Sequence, residues 1–289
     1  MIDFSDSEVR KQIADSLIVD IDSWSEQKYT EAPRRHLGAS IIGKPCSREL
    51  WYAFRWAKRD NYASGNKPAG QSLRLFQRGH KEEFSFIEYF EGIGCKFLHT
   101  PEDQARVSDC SGHFGGSLDN IGYLPPKFEY LEKVLFEFKT SNMANFNTLK
   151  KNGLHREKPV HHAQMCTYGF KMGIEYGVYC VVDKNTDELY IELVKLDLGY
   201  GKTMVDKALA IITAPHTHPP AKISMSISNF ACKWCNFKDV CHNGEAVEIN
   251  CRSCVNAVPL EDGKWGCRLY GEIPTEVIPK GCPQHKGIN

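Results

Sequence analysis

Apolar residues recur at helical spacing in one long stretch and at alternate positions in several short ones, which predicts a mixed α/β fold. Leu73, Phe76, Phe84, Ile87 and Phe90 lie near one helical face and predict a helix over 72–90. Beyond it the period shortens to two. Residues 113–123 and 131–139 read as strands separated by Pro125-Pro126. Residues 159–172 read as a helix opened by its proline, and 176–182 and 189–196 as strands about an Asn185-Thr186-Asp187 turn. Residues 200–214 read as a helix closed by Pro215. Upstream, 1–33 reads as peripheral helix, 48–58 as a helix capped by Ser47, and 60–70 as a loop. Helices, strands, helix, strands and helix in that order predict a mixed central sheet flanked by helices.

The 289 residues are 42% hydrophobic and 25% charged, a globular composition. No run of eighteen apolar residues occurs and the first nine residues lack an apolar signal core, so neither a membrane span nor secretion is expected and a cytoplasmic location is. Lys+Arg and Asp+Glu balance at 36 each, which argues against a generally basic, DNA-coating protein. The balance hides a split. Residues 1–31 carry eight acids against three bases, and 34–59 carry seven bases against one acid, with Trp51, Tyr52, Phe54 and Trp56 interleaved. That stretch fits a phosphate-gripping surface with stacking rings. It equally fits a solvated helix face backed by an aromatic core.

Asp119 falls on one predicted strand. Glu137 and Lys139 stand two apart on the next, so they share a face while Phe136 and Phe138 take the other. Two carboxylates are able to hold a hard divalent cation such as Mg²⁺ or Mn²⁺, and a lysine beside them to orient or deprotonate a water for attack on phosphorus. By itself Glu-x-Lys also describes an exposed ion pair. Gln164 and Tyr168, four apart, share a face of the next helix with His161.

Four pieces in this order and spacing, Gly79-His80 on the long helix, Gly116-x-x-Asp119, Glu137-x-Lys139 and Gln164-x-x-x-Tyr168, resemble the PD-(D/E)xK nuclease superfamily. Within it the chain is similar, over residues 40–245, to the RecB-like and CRISPR-associated iron–sulfur exonuclease branch. The resemblance implies a restriction-endonuclease-like α/β core and a divalent cation held by His80, Asp119, Glu137 and the Phe138 carbonyl. It assigns Lys139 to the attacking water, and Gln164 and Tyr168 to the DNA strand or the lysine. Leu118 departs from the pattern, in which proline precedes the aspartate, a departure this branch commonly allows. The implied activity is that of a metal-dependent DNA exonuclease acting on single-stranded DNA or duplex ends in replication, recombination or repair, with a recombination or replication protein as partner. A structure-specific endonuclease or nickase, and a non-catalytic iron–sulfur DNA-binding module, are the competing readings. Intact Asp119, Glu137 and Lys139 speak against the last.

Twelve cysteines without a secretory signal read as metal ligands, not disulfides. Cys232-x2-Cys235-x5-Cys241 offers three thiolates on one short loop. A [4Fe–4S] cluster takes four thiolates and accepts a remote fourth, for which Cys46 is the candidate; zinc completed by His242 is the alternative. One cysteine before the core and three after it is also the arrangement of the resembled branch. Farther on, Cys251, Cys254, Cys267 and Cys282 look like a zinc-ribbon module, with His285 competing for the fourth place and a second cluster competing with zinc. A segment of about 40 residues cannot bury a sufficient core, so a metal staple is physically expected. Similar tails follow phage-type nucleases of this class, so the resemblance extends to a bacteriophage origin, with the host cytoplasm as location. The expected division is an acidic helical segment 1–33, a nuclease core with its cluster 34–245, and a zinc-binding module 246–289. Cys95, Cys110, Cys166 and Cys180 stand outside both sets and are expected as buried apolar filler.

Overall fold

Strands and helices alternate much as the apolar spacing predicts. The computed structural model describes residues 5–59 and 69–289, so most of the predicted 60–70 loop lies outside the described residues. The elements begin with α1 (Ser7–Tyr29), β1 (Leu37–Gly38), α2 (Ser47–Phe54) and α3 (Ala69–Gly92). Next come β2 (Lys96–Phe97), β3 (Arg106–Asp109), β4 (Phe114–Ser117), β5 (Asn120–Tyr123) and β6 (Val134–Ser141). Then follow α4 (Met143–Asn152), α5 (Leu154–Glu157), α6 (Pro159–Met172), β7 (Tyr176–Asp183), β8 (Leu189–Lys195) and α7 (Leu198–Thr213). The last are α8 (Phe230–Lys233), α9 (Lys238–Asn243), β9 (Ala257–Pro259), β10 (Trp265–Cys267) and β11 (Gly271–Ile273).

These divide into two compact units, Met1–Pro33 with Asp60–Ser85, and Arg34–Arg59 with Phe86–Asn289. In the first, Asp6 caps α1 by accepting from the Glu8 N–H. Arg74 of α3 pairs with Asp22 of α1 at 2.5 Å, and Gly70 lies so close to the Asp22 backbone that a Cβ there would clash.

The second unit is built on a five-stranded sheet in the order β2-β5-β6-β7-β8. Only β6 and β7 run parallel within it. A parallel pair needs a long crossover, and α4, α5 and α6 supply it. One sheet face carries Val134, Phe136 and Phe138 of β6 with Val178, Cys180 and Val182 of β7, packed against Phe86 and Phe90. The Phe86 and Phe138 rings stack at 5.0 Å. On the other face Leu135, Tyr179 and Val181 join Met165 and Tyr168 of α6 in the larger core.

Two predicted elements differ. The strand expected over 113–123 is two strands in two sheets. β4 pairs with β1 and β3, and β5 with β2 and β6. Between them the Leu118 N–H turns to the Ala105 carbonyl at 2.9 Å, which breaks the ladder. The helix expected over 48–58 stops at Phe54, because Trp56 takes a left-handed φ of 50°. Its first residue is Ser47, and Cys46 occupies the cap without a side-chain bond.

The basic, aromatic stretch 34–59 is not a stacking surface. Trp51, Tyr52, Phe54 and Trp56 are buried. Lys44 pairs with Glu49, Lys58 with Glu245 and Arg59 with Glu248. Arg48 donates to the Pro220 carbonyl at 2.5 Å, and Arg55 is buried. Of the lone cysteines, Cys95, Cys166 and Cys180 are buried filler, while Cys110 is half-buried at a turn with φ 49°.

Residues 246–289 belong to the second unit, and β9, β10 and β11 form their own small sheet. Trp265 of β10 is buried against Phe54, ring centroids 5.1 Å apart, and against His113 at 5.6 Å. Ala257, Ile278 and Ile288 enter the same core cluster as Leu37 and Trp51. Trp265→Ala should therefore cost about 3–5 kcal/mol in the single unfolding transition of the whole second unit. Urea unfolding followed by both far-UV circular dichroism and tryptophan fluorescence checks this. An unchanged midpoint for the main transition would mean that the tail melts alone.

Candidate active site

β6 brings the chemistry together because its alternation is strict. With Phe136 and Phe138 fixed in the ring cluster, Glu137 and Lys139 must face the opposite side, beneath α6. Asp119 reaches the same point from the break between β4 and β5. Its Oδ2 accepts from the Phe138 N–H at 2.7 Å, so the backbone of β6 itself aims the aspartate. The Lys139 ammonium then meets three oxygens. It lies 3.4 Å from Asp119 Oδ2 and 2.9 Å from the Phe138 carbonyl, and it pairs with Glu137 Oε1.

The Glu137 side chain is 0% exposed, while Lys139 keeps 28% of its side chain open to solvent. Burial alone would favour the neutral amine. The Asp119 and Glu137 carboxylates outweigh it, and the Lys139 pKa stands above the ordinary lysine value. Gln164 donates to the other Glu137 oxygen at 3.2 Å. Tyr168 donates to the Ser117 carbonyl at 2.8 Å, which fixes the turn carrying Asp119. A Cβ at Gly116 would run into the Tyr168 hydroxyl, so two of the motifs read from the sequence are one packing contact. Burial first, then Glu137 and Asp119, raises the Tyr168 pKa and keeps the phenol protonated.

The oxygens of Asp119, Glu137 and Phe138 form a hard donor set, and a positive group already stands where they converge. That is the fit expected of a site for a small divalent cation. His80 belongs to the other unit, on α3, where its Nδ1 lies 3.4 Å from Glu83. The set described here therefore comprises Asp119, Glu137 and Phe138. Tyr179 was not singled out by the motifs. It sits opposite Glu137 in the β6–β7 register and bonds His161 at 2.7 Å. The signal for it was the register of a parallel pair, which no local spacing reveals.

The cysteines gather in two places. Cys46 and Cys232, Cys235 and Cys241 line one hollow, together with Arg48 and Lys222. Burial first, then Glu49 and Cys46, push the Cys235 thiol up to about 11 against a lowering backbone bond from Phe237. In the tail, burial first, then Cys282, Cys254 and Cys267, push the Cys251 thiol up. Among the described residues no three His, Cys, Asp or Glu side chains already close on a single ion.

No family profile and no curated protein matches the chain. Among solved structures it is similar to SSO0001 at 16% identity and a TM-score of 0.42, over 79% of this chain and 96% of that one. It is similar to an alkaline exonuclease, LHK-Exo from Laribacter hongkongensis, at 17% identity and a TM-score of 0.43, over 64% and 91%. LHK-Exo in complex with dAMP aligns at 14% identity and the same TM-score, over 64% and 90%. At this likeness no residue role carries over from either protein.

His161 gives the site a pH signature. Burial, then Lys139 and Lys158, push its pKa down to about 3. Above the ordinary histidine pKa of about 6.5 the ring is neutral in both folded and unfolded chains and adds no pH dependence. As pH falls through that value the unfolded chain takes up a proton that the folded chain refuses, and stability drops until the pH nears the folded value. His161→Gln should remove a loss on the order of 3 kcal/mol over that window. Urea unfolding at a series of pH values measures it, and an equally steep fall in the variant would contradict the assignment.

Proposed function

We propose that the protein is a metal-dependent DNA exonuclease that hydrolyses phosphodiester bonds in single-stranded DNA or at duplex ends, in replication, recombination or repair. The observation that supports this reading is the convergence of Asp119, Glu137 and the Phe138 carbonyl on the Lys139 ammonium. Such a cluster is costly for a sheet to bury for structure alone. Asp119, Glu137 and the Phe138 carbonyl would hold Mg²⁺ or Mn²⁺, which polarises a phosphate oxygen and acidifies bound water.

The chain's own residues do the rest. Lys139, with its ammonium partly open to solvent, orients the attacking water beside the acids. Gln164 fixes the rotamer of Glu137, and Tyr168 fixes the turn of Asp119. Water oxygen bonds to phosphorus as the bond to the departing nucleotide's oxygen breaks, and that oxygen ends with the water's proton. Asp119→Ala, Glu137→Ala and Lys139→Ala should each lower cleavage by at least about a hundredfold. The check is digestion of end-labelled linear and covalently closed circular DNA with Mg²⁺ or Mn²⁺. The reading expects loss of the linear DNA and survival of the circle. Cleavage of the circle would indicate an endonuclease or nickase, and survival of both a binding module.

The reading includes a [4Fe–4S] cluster on Cys46, Cys232, Cys235 and Cys241. What supports it is that four thiols from distant parts of the chain line one hollow, with Arg48, Lys222 and Lys238 beside it against one carboxylate, Glu49, to offset a thiolate cluster's negative charge. Cys46→Ala should then lose as much iron and visible absorption as Cys232→Ala. Iron analysis and absorption spectra decide this, and retained iron in Cys46→Ala would exclude it as the fourth ligand. The tail's four cysteines form a separate metal centre in this reading.

A further inference from the structure

Gln164 and Tyr168 direct their polar atoms into the protein. The Gln164 amide donates to Glu137 at 3.2 Å and the Tyr168 hydroxyl to the Ser117 carbonyl at 2.8 Å, and both side chains are buried. A DNA strand at this site must be gripped by other groups. The same face of α6 continues toward its start through His161, three residues before Gln164, and Lys158, three before His161. Both are half-buried, so each keeps an open edge. Lys158 enters none of the ion pairs found among the described residues. His162, next along, is turned another way: its Nε2 lies 3.6 Å from Cys166 Sγ, and its ring packs against His155 and Tyr200.

Tyr179 sets the His161 ring. It stands opposite Glu137 in the parallel pair, so both project toward α6. Its hydroxyl meets His161 Nδ1 at 2.7 Å. The phenol is 1% exposed, and burial above all keeps its proton on. That proton has Nδ1 as its acceptor. The imidazole is neutral, because burial first, and then Lys139 and Lys158, disfavour a positive charge there. A neutral imidazole carries one N–H, and with Nδ1 accepting, that N–H is on Nε2, the far end of the ring. His161 is thus a directed, uncharged donor with a lysine to either side, one on β6 and one at the start of α6.

We infer that Lys158 and the Nε2–H of His161 bind one phosphate of the DNA strand beside the scissile bond, with Tyr179 as the positioning residue that orients the ring. This rests on the nuclease reading above and names the groups by which that site holds its substrate. A phosphodiester presents two non-bridging oxygens and one negative charge. The ammonium meets the charge, and the imidazole N–H meets an oxygen from a fixed direction. Gln164, one turn along α6, bonds Glu137, which puts the bound phosphate a short way from the carboxylates. Phosphate contacts set the register of a strand without reading its bases, so this pair gives grip and placement and no base preference.

The test uses the full-length protein and a fluorescent DNA duplex with a single-stranded tail, with Ca²⁺ in place of Mg²⁺ so that binding is read without turnover. Lys158→Met and His161→Leu should each weaken binding about tenfold. Lys158→Met should also make the fall of affinity with salt shallower, by about 0.7 to 0.9 in logarithmic slope. His161→Gln, whose amide reaches as far as Nε2, should recover most of what His161→Leu loses, and His161→Asn, whose amide reaches only to Nδ1, should not. Tyr179→Phe should weaken binding about threefold alone and no further in the His161→Leu background, because it acts through the imidazole. Single methylphosphonates placed along the tail and the duplex end should reveal one linkage whose neutralisation costs the unaltered protein about tenfold and Lys158→Met about twofold or less. Unchanged binding by folded Lys158→Met and His161→Leu, or equal losses in both proteins at every linkage, overturns the phosphate site. If the His161→Leu chain does not fold, the methylphosphonate series with Lys158→Met decides. Cleavage by the unaltered protein with Mg²⁺ measures the nuclease reading separately: cleavage with unchanged binding in the variants overturns this site alone, and a protein that neither binds nor cuts DNA overturns both.

Discussion

Glu137 is a carboxylate with no part of its side chain open to solvent, and a charge buried in that way is tolerable only if other groups surround it correctly. Lys139 and Gln164 supply a cation and an amide. Their supply depends in turn on the phase of β6. A slip of one residue would turn Glu137 into the ring cluster of Phe86, Phe90 and Phe97 and put a phenylalanine under α6. The stacked rings on one face of the sheet therefore hold the charged site on the other. Asp119 is subject to the same constraint, because the Phe138 N–H aims it.

A second dependence runs through residues 34–59. Their rings lie in the aromatic core, and Lys58 and Arg59 pair at the surface with Glu245 and Glu248. The tail contributes Trp265 and Arg252 to that same region, so the segment that looks most peripheral in the chain completes part of the centre.

The sheet was legible because its signals are local. Alternation in 131–139 places Glu137 and Lys139 on one face whatever the partner strands are, and the proline opening 159–172 marks α6 to the residue. The break before Asn120 was not legible, since it depends on the Ala105 carbonyl, thirteen positions back, taking the Leu118 N–H. Nor were α4 and α5, whose buried Phe146, Leu149 and Leu154 are too few to make a clear helical stripe and are divided by Gly153. The two readings of the basic stretch could not be separated for a related reason: Lys58 and Arg59 find their acids nearly two hundred residues away, and no count of local charge reveals that. Tyr179 required the β6–β7 register, a property of two strands and not of either alone.

Arg252 bears on how the chain acquires its fold. Its guanidinium joins carbonyls at Arg34 and Arg35, separated from it by 218 and 217 positions, with the Phe54 carbonyl 198 away. Contacts of such separation close large loops and form late. During synthesis the residues around α2 leave the ribosome long before their arginine does, so Trp51, Phe54 and Trp56 must wait with part of their cover missing. That interval exposes a large aromatic surface in a nascent chain. The second unit thus completes this part of its core only after translation has passed Arg252.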